Sequence, residues 1–191
     1  MKLALSLLLL LGAAAPAAAA PPRHLFVIGD SLAESNRPYL KHELRGWKID
    51  SDFNVARSAK QTARDLRDHA RRTPLPPVIN VSSGTGDDPE HPGTVQRAVR
   101  RVMRIAGPNR CVVWENVWRL RLEEPTFDTI NFVLGSEDAA RDNLRVIDWH
   151  AMVEEHNDWL IDLVHVNPEG NRARAAAVAS EVRLCRQSLK E

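Results

Sequence analysis

His24-Leu25-Phe26-Val27-Ile28-Gly29-Asp30-Ser31-Leu32 is an apolar run of strand length that stops at a glycine and passes straight into Asp-Ser. A strand that breaks in this way feeds a helix, and it leaves a serine hydroxyl at the turn between them. Near the other end of the chain stands Asp162-Leu163-Val164-His165, an Asp three residues before a His. Serine supplies a nucleophile, histidine a base and aspartate an orienter for that base, so the two segments together point to nucleophilic acyl chemistry. Read singly, the Gly-Asp-Ser turn is also a good helix N-cap.

Working outward from the first segment, β-rich runs are expected at 24–28, 47–53, 78–81, 111–114 and 144–147. Between them lie helical patterns near 37–44, 59–70, 94–106 and 126–140, and the last helix carries the apolar stripe Ala175, Val178, Val182, Cys185, Leu189. Alternation of this kind means right-handed βαβ units and an α/β fold with a parallel five-stranded sheet covered on both faces; a flavodoxin-like order, 2-1-3-4-5, is the expectation. Ligands of such sheets sit beyond the carboxyl ends of the strands. Gly29-Asp30-Ser31, the stretch from Ser82 to Asp88, and Asp162 to His165 are expected to converge on that rim.

Residues 1–20 read as a secretory signal peptide: Lys2, a short apolar core, then Gly12 and an alanine-rich tail, with cleavage within the alanines before Pro21. Residues 21–191 then form one domain of adequate core. The apolar core of the leader is too short to span a bilayer, so a secreted or cell-envelope protein without a stable membrane anchor is expected. Loss of Lys2 with the leader balances the 26 basic and 25 acidic residues. A balanced chain argues against a nucleic-acid partner, and Arg71-Arg72 and Arg100-Arg101 read as solvated faces. Export makes a disulfide the first expectation for Cys111 and Cys185, stapling the last helix to the sheet; two buried free thiols are the alternative.

The chain resembles the SGNH, or GDSL, hydrolases, and among them the secreted actinobacterial members. Gly29-Asp30-Ser31 matches the first block of the family, Gly84-Thr85-Gly86-Asp87 stands where its Gly-x-Asn-Asp block belongs, and Asp162-x-x-His165 with Asn167-Pro168-x-Gly170 matches its last. The resemblance covers nearly all of the mature chain and implies a three-layer α/β/α sandwich and a carboxylic ester hydrolase. On that footing Ser31 attacks the carbonyl, His165 moves the proton and Asp162 holds the imidazole. The oxyanion falls to Ser31, Ala56 and Gly86.

Two positions depart from the family pattern. Ala56 stands where a glycine aligns, and Gly86 replaces the asparagine whose amide binds the oxyanion. Loss of one such donor costs about 10² to 10³ in rate, so the enzyme is expected to be slow. Gly86→Asn is expected to restore the donor, with Asn54, Ser83, Thr85 and Asn116 as other candidates for the role. Asp87, Asp88, Glu90 and His91 match no recognised ligand spacing and read as a loop held by side-chain to backbone hydrogen bonds, so no metal or cofactor is expected. A monomer acting on a small-molecule or glycan ester is the first reading. A weakened binding module and an acyltransferase to sugar are the alternatives.

Overall fold

The computed structural model describes residues 21–121 and 124–189; the signal peptide expected over 1–20 lies outside them. Strands β1 (His24–Gly29), β2 (Lys48–Phe53), β3 (Val78–Ser82), β4 (Cys111–Glu115) and β5 (Leu144–Ile147) form one parallel sheet in the order β2-β1-β3-β4-β5. Both faces are covered, so β1, β3 and β4 are buried almost throughout and read as continuous apolar runs. Helices α2 (Ala59–Ala70), α3 (Pro92–Ala106) and α4 (Asp128–Ala139) enclose one core with Phe26, Ile79 and Trp114. On the opposite face α1 (Ser31–Glu43) and α6 (Pro168–Ser188) enclose another with Leu25, Val78 and Val113. This is a three-layer α/β/α sandwich.

The fully buried Cys111 and Cys185 are joined by a disulfide, with Cα atoms 5.5 Å apart. It ties the start of β4 to the far end of α6, within the second core.

Strand expectations hold to within a residue or so, whereas two helices begin earlier than their apolar pattern predicts. Helix α1 starts at Ser31 rather than at 37 and runs through Pro38, because Asp30 caps it by accepting the N–H of Leu32 at 2.9 Å. Helix α6 starts at Pro168, capped by Asn167, whose side chain accepts from the N–H groups of Glu169 and Gly170. Helix α5 (Trp149–Glu155), capped by Asp148, was not anticipated, and it is followed by a 3-10 turn over Asn157–Trp159. The segment Asp162 to His165 therefore does not follow β5 directly. It returns to the rim through α5, and the Leu160–Val166 antiparallel bridge closes its loop.

Gly29 is required by close approach. A Cβ there would lie 2.6 Å from both the Ser82 carbonyl oxygen and the Ala33 methyl, so only glycine lets β1 turn into α1 against the end of β3.

Candidate active site

Because Asp30 takes the N-cap, the hydroxyl of Ser31 is left free at the first position of α1. Ser31 Oγ lies 3.0 Å from Nε2 of His165, and Nδ1 of His165 lies 2.8 Å from Asp162 Oδ2. Nδ1–H donates to the carboxylate, which leaves Nε2 bare to accept the serine proton. The other carboxylate oxygen, Oδ1, accepts the N–H groups of His165 at 2.7 Å and Val164 at 2.8 Å. These hydrogen bonds to the charged form, the His165 N–H foremost, hold the Asp162 carboxyl down at about 2 against an ordinary 3.8. An Asp three residues before a His thus folds into a one-turn loop in which a single carboxylate fixes both the backbone and the ring.

The loop after β2 carries Ala56, whose φ is +52°. That is left-handed backbone, for which glycine is the undemanding residue; an alanine there sits at a cost of about 1 kcal/mol or more. Arg57 clamps the loop from beneath: nearly fully buried, it donates to the Asp52 carbonyl at 2.8 Å and to the Asp52 carboxylate at 2.6 Å.

The loop after β3 carries Gly84, Thr85, Gly86 and Asp87. Asp87 Oδ2 accepts the Ala59 N–H at 2.7 Å and ties this loop to the start of α2; its burial pushes its carboxyl upward. Thr85 Oγ1 donates to Asp30 Oδ2 at 2.5 Å, so both oxygens of Asp30 are engaged, one by α1 and one by this loop.

The expectation that Gly86→Asn restores a donor meets a steric obstacle. A Cβ at Gly86 would stand 2.6 Å from the Ala56 carbonyl oxygen and 3.2 Å from its carbon. Asparagine does not enter without displacing the backbone of the neighbouring loop. Nor do the other candidates offer themselves freely. Asn116 is spent on Asp148, at 2.8 Å, and on the His150 N–H, at 2.7 Å. Thr85 is spent on Asp30, and Ser83, whose hydroxyl has no hydrogen-bond partner among the described residues, is buried away from solvent. Asn54 alone of the four has an exposed side chain.

Asp87, Asp88, Glu90 and His91 do not converge. Asp87 turns inward to α2, while Asp88 accepts the Glu90 N–H and faces the His91 ring at 2.9 Å. Trp159 is buried and stacked on His156 at 4.1 Å, and Trp118, just beyond the end of β4, meets His150 edge-on at 5.0 Å.

Sequence reading missed the polar layer beneath the rim. Glu115 ends β4 fully buried; one of its oxygens pairs with Arg174 Nε of α6, and the other accepts from Asn80 at 3.0 Å. Arg174 Nη2 also donates to Ser82 Oγ at 3.0 Å, and its guanidinium lies 4.9 Å over the Trp149 ring. The signals were there: a carboxylate closing the apolar Cys111-Val112-Val113-Trp114, and one arginine opening the alanine-rich stretch Ala175-Ala176-Ala177. This pair ties β3, β4 and α6 together just below the carboxyl rim of the sheet.

No family model matches the chain, and no curated protein matches it. Solved structures do. The C-terminal catalytic domain of Streptococcus pneumoniae peptidoglycan O-acetyltransferase A superposes with a TM-score of 0.68 at 17% identity, covering 88% of this chain and 95% of that one. A carbohydrate esterase family 3 protein from Talaromyces cellulolyticus gives 0.69 at 16% identity, covering 86% and 98%. A lipolytic protein of the G-D-S-L family from Veillonella parvula gives 0.67 at 15% identity, covering 83% and 96%. The chain shares its three-layer α/β/α fold with these proteins.

Proposed function

We propose that this protein is a secreted serine esterase that cleaves a small or carbohydrate-borne acyl ester through an acyl-enzyme, slowly. The observation that carries the reading is the continuous Ser31–His165–Asp162 hydrogen-bond chain at the carboxyl rim of the sheet. In this mechanism His165 Nε2 takes the Ser31 proton as Oγ bonds to the ester carbonyl carbon. Asp162, ionised throughout, stabilises the imidazolium. The tetrahedral oxyanion accepts from the N–H groups of Ser31 and Ala56, with Gly86 contributing no side-chain donor. Collapse breaks the bond to the alcohol oxygen, which leaves with the proton from His165; water then enters by the same route and releases the acid and free Ser31. Exposed Val55, Leu120, Ile161 and Leu163 on the surrounding loops offer apolar contact to the departing or acyl group.

The solved structures of like fold include one whose name is an acetyltransferase and one whose name is a carbohydrate esterase, which supports acyl chemistry of this general kind. Transfer to a sugar hydroxyl uses the same residues and differs only in the second acceptor. The reading of a weakened binding module rests on Gly86 and on the left-handed Ala56. The experiment is labelling with a fluorophosphonate, followed by peptide mass spectrometry. Covalent modification at Ser31, abolished in Ser31→Ala and reduced in His165→Ala, is expected. Folded wild-type protein that leaves Ser31 unlabelled refutes the enzyme and favours the binding module.

A further inference from the structure

The near-neutral charge of the whole chain conceals a local excess. Helix α3, Pro-Gly-Thr-Val-Gln-Arg-Ala-Val-Arg-Arg-Val-Met-Arg-Ile-Ala, holds four arginines and no acid. Between α2 and α3 runs a groove of about 380 Å³, walled by Lys60 of α2 and by Arg97, Arg100, Arg101 and Arg104 of α3, over a floor of Ala63 and Ala98. Asp65 of α2 pairs with Arg64 and Arg57, Asp68 of α2 pairs with Arg67 and Arg71, and Glu137 of α4 pairs with Arg141 and with Arg100, the one groove arginine that is neutralised. Among the described residues Lys60, Arg97, Arg101 and Arg104 form no salt bridge, and all four are exposed. Arg97 donates only to the Thr94 hydroxyl of its own helix.

Unpaired cations facing each other across a groove repel, and the arrangement is relieved by a ligand carrying several negative charges. Arg97, Arg101 and Arg104 stand at i, i+4 and i+7, one helix face about 10 Å long, so the charges on the ligand are repeated along a chain. A membrane surface is a poor match. Membrane-surface helices set apolar side chains beside their basic ones, whereas the exposed large apolar residues, Val55, Leu120, Phe132, Ile161, Leu163 and Leu184, all lie outside α2 and α3. Single-stranded nucleic acid is a poor match as well, because the one aromatic ring on the two helices, His69 of α2, is stacked on Phe26 and does not line the groove, so no ring there is open to a base. A floor of two alanine methyls between guanidinium walls suits a saturated sugar ring bearing acidic groups. Both helices start at the rim that holds Ser31, since each follows a strand of the parallel sheet. The groove accordingly leads away from that rim, its Lys60 and Thr94 end nearer and its Arg104 end farther.

We propose that the α2–α3 groove binds an anionic polysaccharide, a glycan chain with repeated carboxylate or phosphate groups. The site stands on its own cations and does not depend on the esterase reading. The test is calorimetric titration of the full mature chain with octagalacturonate and, separately, with a phosphorylated mannan oligosaccharide, at low and moderate salt. A triple variant, Arg97→Gln, Arg101→Gln, Arg104→Gln, is titrated beside it, and thermal melting verifies its fold. Expected is binding of at least one oligomer that weakens with salt and loses tenfold or more in affinity in the triple variant, while fluorophosphonate labelling of Ser31 is unchanged. Which oligomer binds identifies the acidic group. Equal affinity of wild type and folded variant overturns the proposal, as does binding of neither oligomer. Tighter binding of a DNA oligonucleotide or of phosphatidylglycerol vesicles than of either oligomer assigns the groove to that partner and also overturns it. Should the triple variant melt early, the single Arg101→Gln and Arg104→Gln variants carry the same comparison with a smaller loss.

Discussion

Ala56 and Gly86 are predicted to be energetically coupled, in a sense that reverses what the sequence pattern implies for Gly86→Asn. A Cβ at position 86 lies 2.6 Å from the Ala56 carbonyl oxygen, so that carbonyl must retreat by roughly 0.8 Å to reach ordinary contact, an overpacking cost of about 1–3 kcal/mol. The peptide that moves belongs to the loop whose Ala56 N–H is proposed to meet the oxyanion, and a displacement approaching 1 Å costs on the order of 10² in rate. Gly86→Asn alone should therefore lower kcat/KM toward p-nitrophenyl acetate. At 2 kcal/mol it should also lower Tm by about 4–8 °C for a chain of this size. Ala56→Gly releases the left-handed strain at φ +52°, about 1–2 kcal/mol, against about 0.5–1 kcal/mol of added unfolded-state freedom; it should be neutral to slightly stabilising. In the double variant a glycine at 56 lets the peptide rotate, the asparagine enters, and its amide becomes available to the oxyanion. Turnover should then exceed that of the wild type, and the double-mutant cycle should show a coupling of about 0.5–3 kcal/mol. The assay is initial-rate hydrolysis by the four proteins, with Ser31→Ala as the blank, beside thermal melts. A Gly86→Asn single variant with raised Ser31-dependent turnover and unchanged Tm refutes the steric argument, as does strict additivity of the cycle.

Asp162→Asn keeps an oxygen for the Val164 and His165 N–H groups but presents an amide N–H to Nδ1; kcat should fall by on the order of 10⁴ with little change in KM, read by steady-state kinetics. Because the Asp162 carboxyl is held at about 2 against 3.8, its stabilising contribution is complete above 3.8 and is lost as the pH falls from there through about 2. Acid melts of the wild type should steepen in that window relative to Asp162→Asn, and identical curves refute the assignment. Arg174→Met and Glu115→Gln each leave a buried charged partner unmatched and should cost about 3–5 kcal/mol in urea denaturation, while an Arg174→Met, Glu115→Leu pair should cost clearly less than the sum. Removing the disulfide with Cys111→Ala and Cys185→Ala opens a link across a separation of 74 residues, which should cost about 4 kcal/mol in the same measurement.

The primary sequence by itself determined the five strands, the helices between them and hence the covered parallel sheet. These rest on local periodicity and punctuation, which survive without tertiary context: apolar runs of strand length, helical stripes between them, and residues such as Gly29 that tolerate only one kind of turn, whereas the cysteine pairing was an expectation from export that the 5.5 Å Cα separation settled. The Ser31, His165 and Asp162 segments were legible for the same reason, since in a parallel α/β sheet ligands sit beyond the carboxyl ends of the strands, where such punctuation falls. Helix starts were less legible, because Asp30 and Asn167 cap through side chains that an apolar stripe does not register. Tertiary structure alone decided the rest. Glu115 and Arg174 are 59 residues apart and look like ordinary surface charges until β4 and α6 bury them together. The arginines of α3 look like a solvated face until α2 lays Lys60 and Ala63 beside them. Whether position 86 has room for a side chain depends on a carbonyl of another loop, and such a distance is set by packing between segments, which no pattern within either one encodes.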